Sequence, residues 1–202
     1  LIVGISSIAG IPSVVVWQVN GMDISPAIEI ADFGSPTGLR DADSGIVEIV
    51  GLEFPGNAVV WTVASASGQT PQLLGMQVLA SPGWAEGISP NGLICGSTGS
   101  DRAGIWDGSQ FTKLAVAGRM HSETTFGVND SAIAIGRVVQ SGVHEVVVWP
   151  SPNDSPILLD KYLKGSSFVD VNIVWDINNS NVIVGQGYLG NQNSAPLVAI
   201  PQ

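Results

Sequence analysis

The chain has 202 residues, 45% of them hydrophobic and 12% charged, which is enough apolar content for a buried core and too much for a disordered segment. Its formal charge is −10 with only seven Lys plus Arg, a surface that repels a phosphate backbone and argues against nucleic-acid partners. No run of about 18 apolar residues occurs, so no membrane-spanning helix is expected, and a lone cysteine, Cys95, excludes an internal disulfide or a cysteine-based zinc site.

At the N-terminus, "LIVGISSIAGIPSVVVW" is broken by Gly4, Gly10 and Pro12 and reads as strands, and "PAIEI" follows as a further short run. "GLRDADSGIVEIVG" precedes "AVVWTV" and "PQLL". The next stretch is the clearest: "AEGISPNG" is a short strand entering a Pro-Asn-Gly turn, and "LICGST", "RAGIWDG" and "FTKLAV" are three more strands. "GVNDSAIAIG", "EVVVWP" and "PILL" repeat that order. "FVDVNIVW", "NVIVGQG" and "PLVAIP" close the chain, and no stretch shows a helical period over ten residues.

The order is an internal repeat. A Gly closes one short apolar run in each copy, at Gly4, Gly51, Gly96, Gly136 and Gly185, in steps of 47, 45, 40 and 49 residues. A second run follows and ends in Trp17, Trp61, Trp106 or Trp149, with no Trp in the last copy. Four short strands every 40–49 residues predict an all-β fold, a five-bladed β-propeller in one domain over 1–202, with repeats of about 45 residues near 1–30, 31–75, 76–116, 117–163 and 164–202. The first copy shows the second, third and fourth strands and the last shows the first three, so the end blades are expected to be incomplete. Open edges of that kind can pair with other subunits. The Asn/Asp/Gly turn brings the first strand back into the second, the closing Gly is expected to allow a bulge or close approach, and each Trp fills space between sheets.

"GISPNGLICG…AGIWDG" and "GVNDSAIAIG…VVVW" resemble the HAF repeats of extracellular bacterial proteins, whose units run roughly Gly-Ile-Asn-Asp-x-Gly-x-Val-Val-Gly before an apolar run ending in Trp. The resemblance covers nearly the whole chain through a short, degenerate motif, and "GLRDADSGIVEIVG" carries extra residues. It implies export to an extracellular or cell-surface location in a bacterium, a repeated β architecture and no particular chemistry. No signal peptide is visible, so upstream sequence or processing before residue 1 is expected.

Candidate sites are few. Ten residues before the anchor Gly stand Glu86, Phe126 and Trp175, and twelve before stand Trp84, Thr124 and Ile173. Aromatic rings beside acids hold sugars, so Trp84, Glu86, Phe126, Trp175 and Asp176 form the candidate ligand cluster; the plain alternative is packing between blades. Glu86 and Asp176 could instead serve as a glycosidase pair, though catalysis needs blades that differ and these repeat. Asp41 and Asp43 in "DADSG" begin like a calcium loop without its later acidic ligands, so a solvated turn competes with a Ca2+ site and no other cofactor is implied. Cys95, within "LICG", reads as a buried thiol, and His121 and His144 read as exposed loop residues. Asn129, Asn153 and Asn178 begin Asn-x-Ser triplets, two of which restate the turn phrase. The reading is a secreted, non-catalytic binding or surface-assembly module whose partners are other protein subunits or surface glycans. A carbohydrate-active hydrolase and a filament or envelope subunit are its rivals.

Overall fold

The structure is a computed structural model that describes residues 1–8, 10–20, 22–66, 69–99, 103–116, 121–162, 166–191 and 193–201. It is all-β, and its antiparallel strands form five sheets of three or four strands plus one small ribbon. β1 (Ile2–Ile8) and β2 (Ile11–Trp17) make a hairpin, β3 (Val19–Asn20) and β4 (Asp23–Ile24) make the ribbon, and β5 (Ile28–Asp32) returns to β2 to complete the first sheet. The second sheet runs β6 (Gly34–Asp43), β7 (Ile46–Glu53), β8 (Asn57–Ala64) and β9 (Gln72–Ala80). β10 (Gly83–Ile88), β11 (Ile94–Thr98), β12 (Ala103–Asp107) and β13 (Gln110–Lys113) form the third. β14 (His121–Val128), β15 (Ala134–Gln140), β16 (Val143–Trp149) and β17 (Ile157–Leu158) form the fourth, followed by a 3-10 turn over Leu159–Tyr162. β18 (Phe168–Ile177), β19 (Ile183–Leu189) and β20 (Ser194–Ala199) form the fifth.

Each sheet is a meander with one register. The residue two before the anchor Gly faces the Trp of the next strand, pairing Ile2 with Trp17, Ile49 with Trp61, Ile94 with Trp106 and Ala134 with Trp149; in the fifth sheet Ile183 faces Ala199. The anchor glycines 51, 96, 136 and 185 each sit opposite a bulge in the sheet's first strand, at Pro36/Gly38, Ala85/Gly87, Thr125/Gly127 and Val174/Asp176. There a Cβ would collide with the carbonyl of Ser35, Trp84, Thr124 or Ile173, so the extra residue of the bulge requires glycine across from it. Among the described residues β1 is itself the first strand of its sheet. At Gly4 the Trp17 ring fills the space, 3.0 Å from where a Cβ would stand.

The sheets pack face to face in chain order through four buried clusters, each built from one consecutive pair. Val14, Val16 and Ile30 of the first sheet meet Ile49, Val59 and Trp61 of the second. Val50 and Val60 meet Ala85, Ile94 and Trp106. Cys95 and Ile105 meet Val128, Val147 and Trp149. Ile135 and Val146 meet Val174, Ile183 and Leu197. Trp61, Trp106 and Trp149 therefore all point back at the preceding sheet, wedges repeated every unit, each burying on the order of 150–250 Å².

At the sheets' first strands the spacing collapses. A Cβ on Gly38 would lie 3.4 Å from Gly87 Cα, one on Gly87 would lie 3.1 Å from the Phe126 carbonyl, and one on Gly127 would lie 3.3 Å from Asp176 Cα. Stacked sheets ordinarily stand about 10 Å apart, so β6, β10, β14 and β18 approach to backbone contact at these glycines. Hydrogen bonds tie neighbouring sheets there, with Thr37 Oγ1 donating to Ala85 O of β10 at 2.7 Å and Thr125 Oγ1 to Gly96 O of β11 at 3.2 Å.

Two expectations need correction. His121 and His144 are not loop residues: both are exposed members of strands, because the tight Ser141–Gly142 turn lets β15 and β16 pair out to Gln140 and Val143, and β14 extends to match. Strand structure also exceeds the expected runs: the ribbon β3–β4 forms ahead of "PAIEI", and β9 runs nine residues where "PQLL" was expected.

Candidate functional site

The three turns that open the repeated phrase share one construction. The first residue's carbonyl and N–H close the loop, as in Asn129 N–H to Ile133 O at 3.1 Å and Asn178 N–H to Val182 O at 3.1 Å. Its side chain accepts from inside: Asn129 Oδ1 from Ser131 and Ile133 N–H, Asn178 Oδ1 from Ser180 and Val182 N–H, and Ser89 Oγ from Leu93 N–H. The fourth residue takes positive φ, 97° at Gly92, 58° at Ala132 and 61° at Asn181.

These turns are joined to one another across sheets. Asp130 Oδ1 accepts from Asn91 N–H at 2.8 Å, and its Oδ2 accepts from Asn179 Nδ2 at 2.6 Å. Asp130 N–H donates to Asn179 Oδ1 at 2.9 Å. Buried Asn129 donates through Nδ2 to Asn181 Oδ1 at 2.7 Å and to Asn178 O at 3.2 Å. Arg40, paired with Glu48 at 2.7 Å, reaches Pro90 O at 3.0 Å and extends the ladder to the second sheet. The backbone N–H of Asn91, with help from Asn179, holds the exposed Asp130 carboxyl below its ordinary range. The phrase thus works as a polar clamp at one end of the converging strands, a role whose partners lie 39 and 49 residues apart and could not be seen in the repeat itself.

The candidate ligand residues lie on the same converging strands. Glu86, Phe126 and Trp175 are the extra residues of the three bulges, and Thr37 holds that place in the second sheet. The ten-residue offset from the anchor Gly had located the bulge without naming it. Trp84 and Trp175 are 47% and 52% exposed, quite unlike the enclosed Trp61, Trp106 and Trp149. Phe126 instead packs against the cluster between the fourth and fifth sheets, so its ring belongs to the core. Glu86 is half-buried and desolvation raises its carboxyl above the ordinary value. Asp176 is exposed; its Oδ1 accepts from Ile177 N–H at 2.8 Å and stands 3.1 Å from where a Gly127 Cβ would be. Burial pushes the Cys95 thiol up to about 12, a Thr125 hydrogen bond opposes this, and the charges of Glu86 and Asp176 add to the rise. Carboxylates from the third and fifth sheets therefore act on one buried thiol beneath the fourth sheet's first strand.

Asp41 and Asp43 lie elsewhere, lining an open hollow of about 450 Å³ with Leu1, Ser44 and Ser65. Asp43 Oδ1 accepts from Ser44 N–H at 2.7 Å. Among the described residues no third acidic, His or Cys side chain joins them, and calcium takes about six to eight oxygens.

No family model matches this sequence, and no curated protein matches it.

Proposed function

We propose that the chain is a non-catalytic module of β-propeller type, exported from a bacterial cell, that binds glycans or protein at the mouth of its converging strands. The observation that carries this reading is chemical variety on a repeated frame. Thr37, Glu86, Phe126 and Trp175 hold one geometric position in four sheets, and Trp84 and Trp175, close in sequence to Glu86 and Asp176, are about half exposed. Aromatic faces with adjacent acceptors suit the apolar faces and hydroxyls of sugar rings. The likeness to HAF repeats and the extracellular location belong to the same proposal.

The test is a glycan-array screen followed by titration calorimetry of any hit with Trp84→Ala and Trp175→Ala. Loss of binding with unchanged melting temperature supports the reading. Melting losses as large as those of Trp149→Ala, about 3–5 kcal/mol, would assign both rings to packing.

A second reading rests on Glu86, whose carboxyl burial raises above its ordinary value, as a general acid requires, with Asp176 of the fifth sheet as the second carboxyl. Hydrolysis of chromogenic glycosides that vanishes in both Glu86→Gln and Asp176→Asn would favour it over simple binding.

A further inference from the structure

Among the described residues the outer edge of the second sheet is the longest, and the uncharged six-residue β20 of the fifth sheet carries Pro196. β5 has five residues and carries Glu29 and Asp32, β13 has four and ends on Lys113, and β17 has two. Short length and charge are the usual means by which a free edge avoids pairing with another chain. β9 has neither. It runs nine residues, "QLLGMQVLA", at the end of the order β6–β7–β8–β9, with no charge and no proline. Leu73, Leu74, Met76 and Val78 are 42%, 57%, 44% and 48% exposed. From Phe54 to Ala85 the sequence carries no charged residue at all, in a chain of net charge −10.

We propose that β9 is an interface for a second copy of this chain, paired antiparallel edge to edge about a two-fold axis near Met76. This does not depend on the ligand reading above. The copy is favoured over a different partner because the strand is complementary to itself. Pairing about Met76 sets Met76 opposite its own copy, Val78 opposite Leu74 (the extra residue of a bulge) and Gln77 opposite Gly75, so the large central side chains that meet, Met76 with Met76 and Val78 with Leu74, are apolar. A foreign partner recognising a protein of net charge −10 would be expected to bring basic groups, and this strand offers them no acid. Strand and side chains together would bury on the order of 600 Å² per copy, at the lower end of specific interfaces. The dimer is therefore concentration-dependent. Each copy brings a net charge of −10, so added salt strengthens it by screening.

Sedimentation velocity or light scattering over roughly 10–200 µM tests this directly. The expected result is a mass rising from 20.9 kDa toward twice that value, further at higher salt, with the Leu74→Lys/Val78→Lys double variant held at the lower mass. Met76→Cys gives an independent readout, because Cys95 is buried and the two introduced thiols, facing each other across the axis, fall within disulfide reach. Mild oxidation should yield a covalent dimer, and this alone decides the matter if the double variant does not fold. A wild-type monomer throughout the range overturns the proposal. So does a dimer that persists in the double variant, or a Met76→Cys chain that stays uncrosslinked while dimeric.

Discussion

Trp61 and Trp149 hold the same register position in their units, yet their indole N–H groups have different fates. Trp149 Nε1 donates to Ala115 O at 2.8 Å, whereas Trp61 Nε1 is buried with no hydrogen-bond partner among the described residues. Replacing each by Phe removes similar ring volume, so the difference isolates the N–H. Trp149→Phe strands a carbonyl and should cost about 1–2 kcal/mol more than Trp61→Phe, read from denaturant unfolding. Glu86 gives a pH signature. Its folded carboxyl binds a proton more tightly than the ordinary value of 4.5, so native stability falls as pH rises from that value through the raised one, and the loss persists above it. Glu86→Gln should accordingly melt higher than wild type near about pH 7 and match it near about pH 4. The core tryptophans were legible in the sequence because each ends a short apolar run that follows an anchor glycine. Trp84 and Trp175 were legible only as offsets from a glycine, since nothing local distinguishes a bulge from regular strand.

At the scale of elements, the turns carry more than chain reversal. Asn129 fills its own loop and reaches the next one, so Asn129→Ala removes two internal acceptances and two cross-sheet donations at a buried position. About 2–4 kcal/mol should be lost. Ala132 stands at φ 58°, a region hostile to branched side chains, and Ala132→Val should cost about 1–2 kcal/mol. Melting of both variants against Asn153→Ala, whose residue lies in an exposed turn, checks these values. The repeated phrase and its hairpin were readable from residue types. The ladder from Arg40 through Asn91 and Asp130 to Asn179 was not, because periodicity reports what recurs along the chain and says nothing of which copies touch. The histidines went astray for a related reason: strand length is set by the partner strand, and an isolated polar residue gives no sign of it.

For the whole molecule, the decisive feature is that sheets joined by wide apolar clusters on their faces come into backbone contact along one edge. Trp61, Trp106 and Trp149 fill the faces between consecutive sheets while Gly38, Gly87 and Gly127 admit close approach of the first strands, the pair of constraints on which the proposed arrangement around an axis rests. The repeat length and the strand count per unit anticipated five sheets. Composition gave no hint that β9 would stand uncovered, since its leucines and valines look like any other core strand. If the sheets continue around that axis, the first and last are neighbours; if they open into a stack, four intervals of about 10 Å hold those two roughly 40 Å apart. Spin labels at Ile2→Cys and Val198→Cys, both exposed positions on those two sheets, measure this separation by pulsed dipolar spectroscopy on labelled chain diluted into unlabelled. A distance under about 25 Å is the result expected of sheets arranged around an axis, and one near 40 Å or beyond would contradict it.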